Sequence, residues 1–222
     1  MVEDSHSFAA RMVKNAIEFG KGLGDEGQVL RRVSRSGIVN RKALITLLKD
    51  RCWLEYYEGI FLPAKLIHLV HDSDLHVEIA KQISDEARHY QLYLKRLEEL
   101  GEGFDVRKHE PPAGWREAFE YLYRSEDPLV IAAGLNVTIE GAIVGRYDPG
   151  SYVEPDPGTA KIVEQIRRDE PSHVQIGVKI LERYATTERK RRRVESVMER
   201  IIRLTSNASR QLRSEMEVSP FK

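Results

Sequence analysis

The sequence predicts an all-α protein built on four long helices, with further helices near both ends. Between clusters of glycine and proline, apolar residues recur at three- and four-residue steps, which is the spacing of an amphipathic helix. No stretch alternates between apolar and polar residues for long enough to indicate a strand. No Pro/Gly/Ser-rich linker separates two cores, so residues 1–222 are predicted to form a single domain, with a core bundle at about 41–184.

The N-terminal half is predicted to form four helices, each ended by glycine, proline or a polar break. A loop at Gly20–Gly27 follows the first helix, and the polar stretch His71–Asp74 ends the second and caps the third. Gly101 ends the third helix, and two consecutive prolines open the fourth. The predicted spans are Ser7–Phe19, Arg41–Val70, Leu75–Leu100 and Pro111–Arg124.

The C-terminal half is predicted to form three helices. Asp127 followed by Pro128 is an N-cap followed by a proline at the first helical position, which starts a helix to about Tyr147. Asp148–Gly158 contains three prolines and two glycines and is predicted to be a loop. The remaining spans are Thr159–Tyr184 and a charged C-terminal helix at Thr187–Met216.

One motif occurs twice on these helices. Asp85–His89, with the sequence D-E-A-R-H, recurs 84 positions later as Asp169–His173, D-E-P-S-H. Residues three apart on a helix share a face, so each copy presents a carboxylate and an imidazole together, on the apolar stripe of its helix. Burying an ionised carboxylate costs several kcal/mol unless a cation compensates it. No lysine or arginine recurs on those stripes, so metal ions are predicted to supply the positive charge.

The remaining ligands of a dinuclear site are predicted on the two preceding helices. Such a site takes one glutamate from each of two helices and a Glu-x-x-His pair from each of the other two. One preceding helix offers only Glu140, and the other offers Glu55 and Glu58. Glu58 is preferred because apolar residues flank it and Glu58-Gly59 resembles Glu140-Gly141, with Glu55 as the alternative. The predicted ligand set is Glu58, Glu86, His89, Glu140, Glu170 and His173, which would balance two divalent cations.

Three further side chains are predicted to assist this site. A metal-bound histidine usually donates its other ring N–H to a carboxylate, so Asp85 is predicted to pair with His173 and Asp169 with His89. Tyr147 lies seven residues after Glu140 on the same side of the helix, and is a candidate redox residue. No catalytic residue is assigned. Pro171 removes a helical hydrogen bond inside the second motif, so a kink or bulge is predicted there, with a tolerated kink as the simpler alternative.

Two Glu…ExxH halves resemble the ferritin-like di-iron carboxylate superfamily, over about Arg41–Tyr184. Both ExxH motifs, and an aspartate directly before each, are nearer to its oxidase and oxygenase branches than to ferritin storage proteins. Pro171 and the terminal helices depart from that pattern. The resemblance implies a ferritin-like four-helix bundle with extra N- and C-terminal helices, two iron ions or a Mn/Fe pair, and a non-heme oxidoreductase, an oxidase or monooxygenase. It would use O2 and an external electron donor on a small, partly apolar organic substrate.

Three other functions stay open at this stage. One is removal of peroxide by an enzyme of rubrerythrin or manganese-catalase type. Another is iron binding or storage without catalysis, and a third is a metal-free helical interaction protein. Metal content and reactivity with O2 distinguish them.

The composition limits which binding partners and cysteine-based sites can be expected. The 35 basic and 35 acidic residues cancel, so net charge indicates neither nucleic acid nor a membrane. The basic run Arg189–Arg193 is typical of a solvated helix face, although an acidic electron donor, a phosphorylated carrier or an RNA substrate stays open. The single cysteine, Cys52, excludes an internal disulfide and a rubredoxin-type centre. Without a signal sequence or an apolar run of about 18 residues, a cytoplasmic protein is expected, and a homodimer is the default assembly.

Overall fold

The protein is described by a computed structural model that covers residues 3–34 and 38–218. These residues form helices and no strand, as predicted. Two of the helices, α3 and α6, are continuous but contain an internal π-helical segment each. The helices are α1 Ser5–Leu23, α2 Glu26–Val33, α3 (Arg41–Leu54, π-helical Glu55–Phe61, Leu62–Leu69), α4 Ser73–Glu99, α5 Ala113–Tyr123, α6 (Pro128–Ala132, π-helical Ala133–Ile139, Glu140–Arg146), α7 Gly150–Val153, α8 Pro157–Tyr184 and α9 Glu188–Glu217; Val106–Lys108 forms a 3₁₀ turn.

Four long helices, α3, α4, α6 and α8, pack together in the centre. Helix α3 packs on α4, α6 packs on α8, and α4 contacts α8 between the two pairs. Helix α1 covers α6 and α8, while α9 lies across α3, α5 and α6. Along α4, the apolar side chains before Glu86 and those after His89 belong to two different apolar clusters. The acidic residues between them are therefore enclosed by apolar packing on both sides.

Side-chain caps begin the predicted helices where the sequence places them. Asn40 accepts from the backbone N–H of Ala43 at 3.2 Å, and Asp127 accepts from that of Leu129 at 3.0 Å. Asp156 caps α8 by accepting from the N–H of Thr159 at 3.0 Å. Such caps satisfy donors that have no partner within the helix, which explains why these boundaries were predicted to within a few residues.

The predicted loop at Gly20–Gly27 is wrong. Helix α1 continues to Leu23 and ends at Gly24, whose φ of +70° favours glycine. Asp25 then caps α2 by accepting from the N–H of Gly27 at 2.7 Å. Gly20 lies within α1, where the helix approaches α6 so closely that a side chain would not fit. A Cβ at Gly20 would lie 2.1 Å from the Ala142 carbonyl oxygen. The glycines therefore allow helix packing, where the sequence suggested a break.

The predicted loop at Asp148–Gly158 is also partly helical, since it contains α7 and the first residues of α8. No helical bulge forms at Pro171, where a kink or bulge was predicted. Helix α8 is continuous α-helix from Pro157 to Tyr184. The π-helical segments lie instead in α3 and α6, at Glu55–Phe61 and Ala133–Ile139. Such segments change the direction in which side chains point and are frequent at functional sites. The first begins at Glu55, and the second ends directly before Glu140.

Among the described residues, Pro128–Arg146 is the one helix long and apolar enough to cross a bilayer, with a mean hydropathy of 1.6. The segment is not an uninterrupted apolar run, because it contains Asn136, Thr138 and Glu140. Within the protein, 72% of that segment is buried, because α1, α8 and α9 cover it. The helix is accounted for as a core element.

The basic C-terminal helix lies close to its predicted span, and one face of it is apolar and buried, including Val194, Ile201 and Leu204. Several cations of the basic run are engaged within the molecule. Arg191 donates to the Glu3 carbonyl oxygen, and Arg193 pairs with Asp127 at 3.0 Å. Binding of an acidic partner or RNA by this run stays a prediction.

Candidate metal centre

Five of the six predicted ligands meet in the interior, together with Glu55. The facing oxygen and nitrogen atoms lie within 4.8 Å of one another in each of two groups that share the Glu86 carboxylate. All of these side chains are buried. The first group is Glu86, Glu140, Glu170 and His173, and the second is Glu55, Glu86 and His89.

Both imidazoles turn the same nitrogen inward. His89 Nδ1 lies 3.1 Å from Glu86 Oε2 and 3.6 Å from Glu55 Oε2. His173 Nδ1 lies 3.0 Å from Glu86 Oε1 and 3.1 Å from Glu170 Oε2. Imidazole nitrogen and carboxylate oxygen suit iron, manganese or zinc. The facing atoms form one buried set of donors, in which Glu86 belongs to both groups.

The other ring nitrogens face the two aspartates crosswise. Asp169 Oδ2 lies 3.1 Å from His89 Nε2, whereas Asp85 Oδ2 lies 3.5 Å from His173 Nε2, which has no hydrogen-bond partner among the described residues. An aspartate at Nε2 favours the tautomer with the proton on that nitrogen, which leaves the Nδ1 lone pair free for a metal. That the aspartates orient metal-bound histidines stays a prediction.

Arg88 joins the two aspartates. Its Nη2 lies 2.9 Å from Asp85 Oδ1 and 2.8 Å from Asp169 Oδ2. Sequence reasoning missed this residue, although the equivalent position of the second motif is Ser172. The first motif has an arginine where the second has a serine. That difference could have indicated that one arginine pairs with the aspartates of both motifs.

The structure favours Glu55, the alternative, over Glu58 as the first ligand. Glu55 faces His89, whereas Glu58 lies outside both groups of facing atoms. Gly59, whose position after Glu58 suggested that residue, is explained by packing. A Cβ at Gly59 would lie 2.9 Å from Glu86 Oε2, so the glycine leaves space for the Glu86 carboxylate. The 84-residue repeat could have indicated Glu55, since it places the counterpart of Glu140 at position 56, one residue from Glu55.

Two further polar residues, Gln82 and Asn136, were not predicted, and they make the two halves of the site unequal. Fully buried Gln82 donates from Nε2 to Glu140 Oε1 at 3.1 Å. Asn136 Nδ2 donates in turn to Gln82 Oε1 at 2.9 Å. The position equivalent to Gln82 in the second motif is the apolar Ile166. Only the half of the site that contains Glu140 therefore has a glutamine hydrogen-bonded to its carboxylate.

Replacing Gln82 by leucine is expected to weaken binding of one metal ion about tenfold or more, because loss of a residue that orients a ligand typically costs 10–100-fold in metal affinity. Titration of the metal-free protein with Mn2+, followed by calorimetry, measures both binding steps. Ile166→Leu is the matched control and should leave both affinities unchanged. Unchanged binding in the Gln82→Leu variant would contradict a role for Gln82 in holding Glu140.

The charges of the site fit a pair of cations. Burial and the neighbouring carboxylates raise the pKa of both Glu140 and Glu170 well above the ordinary value. In the described part of the chain, the ion pairs of the four facing glutamates are with His89 and His173 alone. Buried Glu86 Oε1 has no hydrogen-bond partner among the described residues, although His173 Nδ1, whose lone pair is free in the tautomer described above, lies 3.0 Å from it. Four carboxylates held together without lysine or arginine are what two divalent ions would neutralise.

The metal-free protein is expected to lose stability as the pH rises from about 5 to 8. Burial raises the pKa of Glu55 to about 7 and that of Glu58 to about 8. In this window the folded state holds protons that the unfolded state has already released, so the free energy of unfolding falls with pH. Metal binding displaces protons, and the stabilisation by Mn2+ should therefore increase with pH. Thermal unfolding with EDTA or Mn2+ at both ends of the window measures this, and a metal-free protein that gains stability would contradict it.

A narrow cavity adjoins the facing glutamates. Its wall is largely apolar and includes Phe19, Leu54, Trp115, Leu135 and Ile143, while Arg51, Arg146 and Tyr147 also line it. The water-accessible volume is about 40 Å³, which is room for about three water molecules. The small residues of α6 contribute little to this space. Ala142 lines the cavity, but Gly145 packs on α1, where a Cβ would lie 2.2 Å from the Ile17 carbonyl oxygen.

Tyr147, the predicted redox residue, is buried at the end of α6 and lines this cavity. Burial raises the pKa of its phenol, against the opposing effect of Arg51. The hydroxyl is therefore protonated at neutral pH. A redox function for it stays a prediction.

No protein-family model matches the chain, and no curated protein matches its sequence. The inference of function therefore depends on the geometry of the buried Glu/His cluster.

Proposed function

We propose that the chain is a ferritin-like di-iron carboxylate protein and an O2-activating oxidase or oxygenase that acts on a small organic substrate. The observation that carries this proposal is the set of four glutamates and two histidines that face one another in a buried cluster beside a largely apolar cavity. The six side chains divide into two half-sites, and together these form the donor set of dinuclear carboxylate proteins. Each half supplies one glutamate, one Glu-x-x-His pair and an aspartate behind the histidine.

The ligands would be Glu55, Glu86, His89, Glu140, Glu170 and His173. When bound in reduced form, two irons, or manganese and iron, can supply two electrons to O2. Nε2 of each histidine would keep its proton on the side of an aspartate, so that Nδ1 stays free on the inner side. The largely apolar wall would leave room for only a few water molecules beside the carboxylates, and an external donor would restore the electrons after each turnover.

The test is anaerobic loading with Fe2+, followed by addition of O2. About one O2 consumed for every two irons is expected, with an optical change that Zn2+-loaded protein does not show. Turnover of H2O2 without consumption of O2 would support removal of peroxide instead. Uptake of many more irons than two per chain would support storage. Absence of tightly bound iron would contradict the proposal and favour a helical interaction protein.

A further inference from the structure

A buried cluster of arginines lies behind the cavity. Glu26 is fully buried, and its Oε2 accepts from Arg51 Nη2 at 2.7 Å and from Arg146 Nη2 at 2.8 Å. Arg213 Nη2 lies 3.8 Å from the other oxygen of Glu26. Burial would raise the pKa of Glu26, but the three arginines outweigh it and hold the pKa below its ordinary value. One carboxylate therefore faces three guanidinium groups.

Two of these arginines also line the cavity beside the metal ligands. Arg51 and Arg146 are 4% and 6% exposed, and both contribute to the cavity wall. Their guanidinium carbons lie 5.3 and 5.8 Å from the centre of the Tyr147 ring, which lines the same cavity. Arg146 Nε is buried and has no hydrogen-bond partner. A buried donor without a partner is costly, and an acceptor bound in the cavity that Arg146 lines would satisfy it.

The cavity wall carries groups of both charges. It includes the glutamates Glu55, Glu86, Glu140 and Glu170, whose four negative charges two divalent cations would balance. Glu58 is the remaining carboxyl of the wall, and its buried Oε1 has no hydrogen-bond partner among the described residues. The wall also includes Arg51 and Arg146, which both donate to Glu26. Guanidinium groups bind carboxylates through paired N–H donors.

We propose that the substrate is a small organic anion, a carboxylic acid whose carboxylate binds at Arg146 and Arg51 and whose apolar part extends toward the metal ligands. This inference rests on the proposed function and names its substrate class. Leu54, Trp115, Leu135 and Ile143 would contact the apolar part. The small volume of the cavity favours a short acid. Arg146 acts here as a binding residue, and Glu26 positions both guanidinium groups.

The experiment compares acids with their uncharged amides. Butyrate and benzoate are titrated against butyramide and benzamide on Mn2+-loaded protein, with affinity measured by calorimetry and thermal shift. Each acid is expected to bind about tenfold to a hundredfold more tightly than its amide, the value of a hydrogen bond to a charged group. Equal affinities for acid and amide would overturn the proposal without any variant.

Variants separate binding by arginine from binding to the metal. Arg146→Met should reduce the preference for the acid about tenfold, because Arg51 remains in the wall, while Arg146→Lys should retain more of it because the charge is kept. Arg213→Met is the matched control, since Arg213 contacts Glu26 but does not line the cavity, and the preference should persist. If Arg146→Met does not fold, the comparison of Arg146→Lys with wild type decides. A preference that is undiminished in both Arg146→Met and Arg51→Met would mean that the acid binds the metal itself, and would overturn the proposal.

Failure of this inference is distinguishable from failure of the proposed function. Two metals per chain and consumption of O2, with no preference for acids, would overturn the substrate class alone. Absence of metal binding would overturn the proposed function, whatever the acids do.

Discussion

Replacing Glu55 by alanine is expected to reduce the tightly bound metal from about two ions per chain to about one. Glu55 Oε2 lies 3.6 Å from His89 Nδ1, and both face the Glu86 carboxylate. Alanine removes a charged ligand from that half and leaves His89 and Glu86 without the third donor. Glu140→Ala should have the same effect on the other ion. Elemental analysis after loading with Mn2+ and removal of free metal measures the stoichiometry.

Glu58→Ala is the matched control, because Glu58 is equally buried, lies on the same helix and lines the same cavity. This variant should still bind about two ions per chain. The opposite result, loss of metal in Glu58→Ala and retention in Glu55→Ala, would return the first ligand to the residue that the sequence favoured. Circular dichroism of both variants verifies that the helices are intact.

Replacing Glu26 by leucine is expected to destabilise the protein by about 3–5 kcal/mol, because it leaves buried guanidinium groups without their counter-charge. Arg51 and Arg146 both donate to Glu26 Oε2, and their side chains are 5% and 3% exposed. For a chain of this length, the melting temperature should fall by roughly 6–20 °C. Thermal unfolding of the wild type and the variant measures the loss.

Glu126→Gln provides the comparison for an exposed ion pair. Glu126 contacts Lys65 at 2.7 Å, but its side chain is 77% exposed, and such pairs contribute at most about 1 kcal/mol. The melting temperature of this variant should stay close to that of the wild type. An equally small effect of Glu26→Leu would show that the arginines reorganise or are hydrated when the carboxylate is absent.

The long helices and most facing residues were predictable because their signals are local. Caps such as Asn40 and Asp127 lie directly before the helices they start, and the repeated Glu-x-x-His motif lies within one turn. Helix periodicity then places these pairs on the buried face. The crosswise pairing of Asp85 with His173 followed from the same repeat, and the structure has that arrangement.

What the sequence could not indicate depends on contacts between distant segments. Glu26 lies in a stretch that resembles a glycine loop, and its partners Arg51 and Arg146 are 25 and 120 residues away. Gln82 looks like an ordinary polar residue until α6 brings Glu140 against it. The choice between Glu55 and Glu58 depends on a π-helical segment that starts at Glu55 itself, and side-chain spacing for a regular α-helix does not describe it.

Six side chains from four helices are proposed to share two cations in the protein interior. Anomalous diffraction at the manganese edge, from crystals of the Mn2+-loaded protein, would locate those cations. Two anomalous peaks about 3.5–4 Å apart are expected, one beside Glu55 and His89 and the other beside Glu140 and His173. Peaks confined to surface carboxylates, or no peak among these side chains, would contradict it.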